Sequence, residues 1–113
     1  MVDEEFSKLG GIWIMSARAT GWWSSFGRIS KKATWPFARL RVDSSQVTIS
    51  SPFGGFLVTR QNLVSITTMW GITSSGLRFE VNDSTNAAVF WTSASGVDTI
   101  MDELWLRGWE VQE

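Results

Sequence analysis

The chain has 113 residues, ten Lys+Arg against eleven Asp+Glu, eight Trp and seven Phe, and no Cys, His or Tyr. Those absences exclude disulfides, thiolate chemistry, the commonest general base and the commonest transition-metal ligand. A chain of this length buries roughly two-thirds of its unfolded surface, enough for one core, so residues 1–113 are expected to form a single domain.

Asp3, Glu4 and Glu5 give the N-terminus the wrong sign for a signal peptide. The early apolar run 12–15 is far short of the ~20 residues that span a bilayer, and a cytoplasmic location is the expectation. Charge is unevenly spread. Residues 6–60 carry eight basic residues against the single acid Asp43, while residues 61–113 carry only Arg78 and Arg107 against seven acids. Such asymmetry can mark a surface for an anionic partner. A compact fold would instead bring the halves together, and no stretch reaches the five or six like charges of a basic tail.

In chain order, residues 1–30 resist assignment. Residues 11–15 read as a strand, with Ile12 and Ile14 on one face and Trp13 and Met15 on the other. A helical face through Phe6, Leu9, Ile12 and Trp13 competes, but it centres on Gly10 and Gly11 at a cost of ~2 kcal/mol against alanine. Trp22, Trp23, Phe26 and Ile29 are equally ambiguous, and strand or irregular structure is favoured throughout.

Residues 31–92 read as antiparallel strands. In 36–42, Pro36, Ala38, Leu40 and Val42 alternate with Phe37, Arg39 and Arg41. Asp43-Ser44-Ser45 supplies turn chemistry before a strand over 46–51, and Pro52-Phe53-Gly54-Gly55 marks a hairpin. Strands follow at 56–60, 63–70, 77–81 and 87–92, divided by Gln61-Asn62, a loop over 71–76 and a polar turn over 82–86. Six strands at about ten-residue spacing is the pattern of an antiparallel barrel or sandwich.

The period then changes. Val97, Ile100, Met101, Leu104 and Trp105 mark one face of a helix over 95–108. Ser95 and Asp98 fit a capping box at its start, Arg107 opposes the negative end, and Gly108 suits the left-handed position after it. Trp109 is placed to fold back on Leu104. Trp70, Phe79, Phe90, Leu104 and Trp105 are the expected core aromatics and aliphatics, which makes the tryptophan excess architectural.

Strands closed by one C-terminal amphipathic helix is the order of the pleckstrin-homology (PH) fold. The stretch Ala33-Thr34-Trp35-Pro36-Phe37-Ala38-Arg39-Leu40-Arg41-Val42 resembles the "WP-x-A-x-L-x-V" start of a group of uncharacterised bacterial PH-like proteins. The likeness extends through Val47-Thr48-Ile49, the hairpin at 52–55, Leu63-Val64-Ser65-Ile66, Val89-Phe90-Trp91-Thr92 and Gly108, covering about residues 28–110. It implies a mainly β protein: a strongly bent antiparallel barrel of six to seven strands, capped at one end by the helix. It implies no activity.

The residues themselves offer little catalytic chemistry. Asp98 and Asp102 share a helix face with Glu103 beside them, but on the polar side, where burial does not tune a carboxylate. The 82–86 turn lacks the acidic density and distal Glu of a calcium loop. Lys31-Lys32 follows no glycine-rich phosphate loop, and no Gly-x-Ser-x-Gly elbow occurs. No cofactor and no enzymatic activity are expected.

Binding readings remain. Many lipid-binding PH domains hold phosphates with a Lys followed by basic-x-Arg, and Lys31 or Lys32 followed by Arg39 and Arg41 has similar spacing. Here the obvious turn comes after the arginines, so a solvent-facing strand competes. Arg28, Lys31, Lys32, Arg39 and Arg41 form a candidate anionic-ligand or membrane surface. Trp22 and Trp23, between Arg18 and Arg28, form a candidate membrane or protein contact. Basic and aromatic residues interleave at Trp35, Phe37, Arg39 and Arg41 as in single-strand binders, but a pI near 5.4 argues against nucleic acid. The leading expectation is a non-catalytic binding or scaffold module with a protein partner or self-association. Alternatives are a peripheral module on anionic lipid and a small-ligand binder with an aromatic-lined barrel.

Overall fold

Strand β1 (Phe6–Ser16) is the element around which the rest assembles. The computed structural model describes residues 4–16, 29–72, 74–84 and 86–112. After β1 come β2 (Ile29–Val42), β3 (Gln46–Ser51), β4 (Gly54–Thr59), β5 (Leu63–Met69), β6 (Ser75–Val81), β7 (Asn86–Thr92) and helix α1 (Ala94–Leu106). The seven strands form one antiparallel sheet in the order β4-β3-β2-β1-β7-β6-β5. Pairing the first strand with both the second and the last curls the sheet into a half-barrel. The expected mainly β architecture with a C-terminal helix is therefore what the chain adopts, as a curled sheet with two edges instead of a closed barrel.

Period-two alternation sorts the side chains. Ala38, Leu40 and Val42 of β2, Val47 and Ile49 of β3, Leu77 and Phe79 of β6 and Phe90 of β7 face the concave side. Val97, Ile100, Met101 and Leu104 of α1 complete that core. The glycine pair in β1 sits where three strands meet closely. A Cβ on Gly10 would collide with the Trp91 carbonyl and lie 2.5 Å from the Phe90 ring, and one on Gly11 would lie 2.9 Å from the Ala33 carbonyl. The glycines that argue against a helix are thus required by the strand.

The edges are closed by the chain itself. Asn62, a buried residue after β4, accepts from the Thr59 N–H at 2.7 Å and donates to the Leu57 carbonyl at 3.1 Å. Its side-chain amide does for the β4 edge what a neighbouring peptide group would, and its Nδ2 also reaches the Asp83 carboxylate at 3.3 Å. On β5, Gln112 exchanges backbone hydrogen bonds with Ile66 and Thr68 at 2.7 and 3.0 Å.

The N-cap of helix α1 lies two residues earlier than the sequence suggests. Ser93, not Ser95, is the N-cap, accepting from the Gly96 N–H at 3.1 Å, and Asp98 is exposed. Gly96 already packs against Thr92 and Lys8, so the first turn must form directly off β7. The C-terminus follows expectation. Gly108 has φ 82°, its N–H donates to the Trp105 carbonyl, and the Trp109 N–H donates to the Leu104 carbonyl. Trp109 and Leu104 share the core. Arg107 is buried at the helix end, donating to the Glu4 and Glu103 carbonyls and paired with the Glu103 carboxylate.

Trp109 also locks the turn between β2 and β3. Its Nε1–H donates to the Asp43 carbonyl at 2.8 Å, and the Arg60 guanidinium lies 3.8 Å over its ring. Arg60 donates in turn to the Ser44, Arg107 and Gly108 carbonyls. The Asp43 carboxylate accepts from the Ser45 and Gln46 N–H groups and the Ser45 hydroxyl. Burial raises its pKa, but those hydrogen bonds, helped by the Arg107 charge, outweigh burial and hold it below the ordinary value.

Three expectations about the core need correction. Trp70 is 46% exposed, because the β5 ladder ends at Met69 and the chain turns outward before Trp70 can continue the inward parity. Trp105 is 48% exposed, on the flank of a helical stripe whose centre is Leu104 and whose far end is filled by Trp109. Pro36 does not join Ala38, Leu40 and Val42 inside. With Trp35 exposed as well, the tryptophans are not simply architectural.

Candidate functional site

Pro36 belongs instead to an outward bulge. Gly10 pairs with Ala38 and Ile12 with Ala33, so Gly11 alone faces Thr34, Trp35, Pro36 and Phe37. The extra residues are extruded from the ladder, with a cis Trp35–Pro36 peptide bond. Extrusion leaves Trp35 68% and Phe37 61% exposed.

On the convex face beside the bulge lies a second, smaller apolar cluster. Met15 of β1 and Ala87, Val89 and Trp91 of β7 are buried there, with Trp13 and Met69 packed against them. These are the odd positions of β1 and β7, opposite in face to Ile12, Ile14, Ala88 and Phe90. Trp13 and Trp91 meet with ring centroids 4.5 Å apart and planes tilted by 60°, a favourable aromatic geometry.

Trp13, Trp91 and the bulge residue Trp35 line an open groove of about 550 Å³, with Leu9 at its side. Its polar groups are the Thr34, Ser74, Thr92 and Ser93 hydroxyls and the Lys8 ammonium; its described lining includes no carboxylate. Gly11 forms part of the floor, where the absence of a Cβ lets the bulge cross β1. Leu9 also borders a shallower hollow of about 350 Å³ on the other side of the bulge, against Phe37 and Arg39. The groove can stack flat or apolar groups and offers hydroxyl hydrogen bonds and one positive charge.

Of the basic residues singled out from the sequence, Arg39 and Arg41 have described side chains. Arg39 and Arg41 are exposed on β2, and Arg41 lies 3.6 Å from the Glu5 carboxylate. Register sets Arg39 opposite Leu9 but Lys32 opposite Trp13 and Lys31 opposite Ile14. That is about 13 Å or more of strand between the pairs, at ~3.3 Å per residue. Arg28, Trp22 and Trp23 lie outside the described residues. Of the acids weighed for catalysis, Asp98 and Asp102 are exposed and Glu103 is paired with Arg107. Among the described residues no three acidic side chains gather as a metal site requires. No helix among them is long and apolar enough to cross a membrane.

The groove residues Lys8, Trp13 and Trp91 carry no signal in the sequence, since each is an ordinary strand position far from the others in the chain. Trp35 stands in the stretch that resembles the PH-like group, immediately before the strand predicted over 36–42. Compared with known proteins, the chain matches no family model and no curated sequence. The geometry of the groove is therefore what carries the functional reading.

Proposed function

We propose that the protein is a non-catalytic binding module of PH-like fold whose ligand lodges in the tryptophan groove on the convex face. One observation carries the reading: Trp13, Trp35 and Trp91, from three different strands, converge on an open space of about 550 Å³. That is the size of a small-ligand site, and the three tryptophans are accompanied in its lining by Leu9, Ala33 and several polar residues. On the concave side Leu40, Ile49, Phe79 and Phe90 are fully buried and pack the centre of the core. The strand order and the closing helix support the PH-like part of the reading.

The test is a titration of the ¹⁵N-labelled protein with naphthamide, a neutral flat probe, followed by amide chemical shifts. Shifts are expected to cluster on residues 8–13, 33–35 and 91–93. Trp35→Ala should weaken binding about tenfold, the worth of one aromatic contact. Its effect on stability should stay within about 0.5 kcal/mol, because the side chain is largely exposed. Shifts absent from these segments, or affinity indifferent to Trp35→Ala, would refute the reading.

A further inference from the structure

We propose that Lys8 makes the groove selective for a small carboxylate on a flat aromatic body, an inference that rests on the groove being the ligand site. It starts from how the chain uses its cations. Arg41 pairs with Glu5, Arg78 with Glu80 and Arg107 with Glu103, while Arg60 is spent on three backbone carbonyls. Lys8 is different. It is half-buried and has neither an ion pair nor a side-chain hydrogen bond among the described residues.

Lys8 lines a groove whose described lining includes no carboxylate, so its positive charge is available to an anion placed beside it. The position of Lys8 is fixed from both sides. Its backbone pairs with Leu40 in the ladder, and its stem runs so close to Gly96 that a Cβ there would lie 2.9 Å from the Lys8 Cε. Thr34, Ser74 and Thr92 line the same groove and carry hydroxyls able to donate to a carboxylate, whereas the Ser93 hydroxyl is engaged in the helix cap and with Ser95.

The rest of the groove sets the body of the ligand. Trp13, Trp35 and Trp91 present indole rings, which favour a flat partner in stacked or edge-to-face contact. Indole faces also attract cations. The sign is decided by the charged groups: Lys8 repels an ammonium, and the described lining has no carboxylate to offset that repulsion. A volume of about 550 Å³ accommodates a body of one or two fused rings with its carboxylate at the Lys8 end.

The experiment compares naphthoate, naphthamide and naphthylmethylammonium on the full chain, reading dissociation constants from amide shifts at low and high salt. Naphthoate should bind about tenfold more tightly than naphthamide, the ammonium should bind most weakly, and added salt should erode the difference. Lys8→Met keeps an unbranched stem against Gly96 and removes the charge; it should abolish the preference for naphthoate over naphthamide. Equal binding of naphthoate and naphthamide to the unaltered protein, or a preference that survives Lys8→Met, would overturn the carboxylate inference while the groove stands. Silence from all three probes at the groove amides would overturn the groove itself, and the inference with it. The series on the unaltered protein decides between these outcomes even if the variant folds poorly.

Discussion

Trp109→Ala should be among the most damaging substitutions in this protein. The side chain is 1% exposed in the core, and three things depend on it: the end of α1, the turn between β2 and β3, and the seat of the Arg60 guanidinium. A buried indole removes roughly 200 Å² from water, worth about 5 kcal/mol at ~25 cal/mol per Å². Core tryptophan truncations cost about 3–5 kcal/mol, and an Asp43 carbonyl left without its donor adds about 1 kcal/mol. The expected loss is therefore about 4–6 kcal/mol, against a total of about 6–17 kcal/mol for a chain of this length. Urea unfolding followed by far-ultraviolet circular dichroism measures it, with linear extrapolation at a fixed slope. Trp109→Phe isolates the polar part: most of the ring stays, only the N–H is lost, and about 1–2 kcal/mol should follow. A loss below about 1 kcal/mol for Trp109→Ala, at unchanged slope, would refute the claim that this residue ties the C-terminus to the β2–β3 turn.

Two further expectations concern the polar joints. Asn62→Ala strips the Thr59 N–H and Leu57 carbonyl of their side-chain partner and should cost about 3 kcal/mol in the same urea assay; a loss under 0.5 kcal/mol would show the β4 edge does not depend on it. Light scattering on that variant should also detect concentration-dependent association, because an uncapped edge invites pairing with another chain. Asp43 has a lowered folded-state pKa, so its carboxylate contributes stability that is present above the ordinary carboxylate value and lost as pH falls through the folded value. Asp43→Asn, which keeps an acceptor oxygen, should therefore be less stable than the unaltered protein at neutral pH, with the gap closing below about pH 4. A gap constant from neutral to strongly acid pH would refute that account.

Much of the fold was legible because its causes are local. Alternation in 36–42 and 46–51 depends on residues two apart, and the helix stripe through Val97, Ile100 and Leu104 on residues three and four apart. The helix C-terminus was readable for the same reason: Gly108 and Trp109 act on groups within one turn. The bulge was not legible, since 36–42 alternates in sequence as an unbroken strand would. It arises only because Gly10 and Ile12 must pair across β2 while Gly11 admits the crossing backbone. The N-cap was misplaced because Ser93 and Ser95 are equally good caps in isolation, and the packing of Gly96 on Thr92 and Lys8 chooses between them.

The composition alone determined that this chain has no His, Cys or Tyr to work with and that tryptophan is unusually abundant in it. It could not assign the tryptophans to core or surface. That depends on which strands become neighbours, and β1 meets β7 only because the sheet curls through nearly the whole chain. Curling sets Trp13 against Trp91, and the β2 bulge brings Trp35 to the same groove, while Trp109 goes to the interior and Trp70 and Trp105 stay half in water. Lys8 acquires its place by the same route. In sequence it is one basic residue among ten; in the fold it is a half-buried residue lining a groove with three tryptophans.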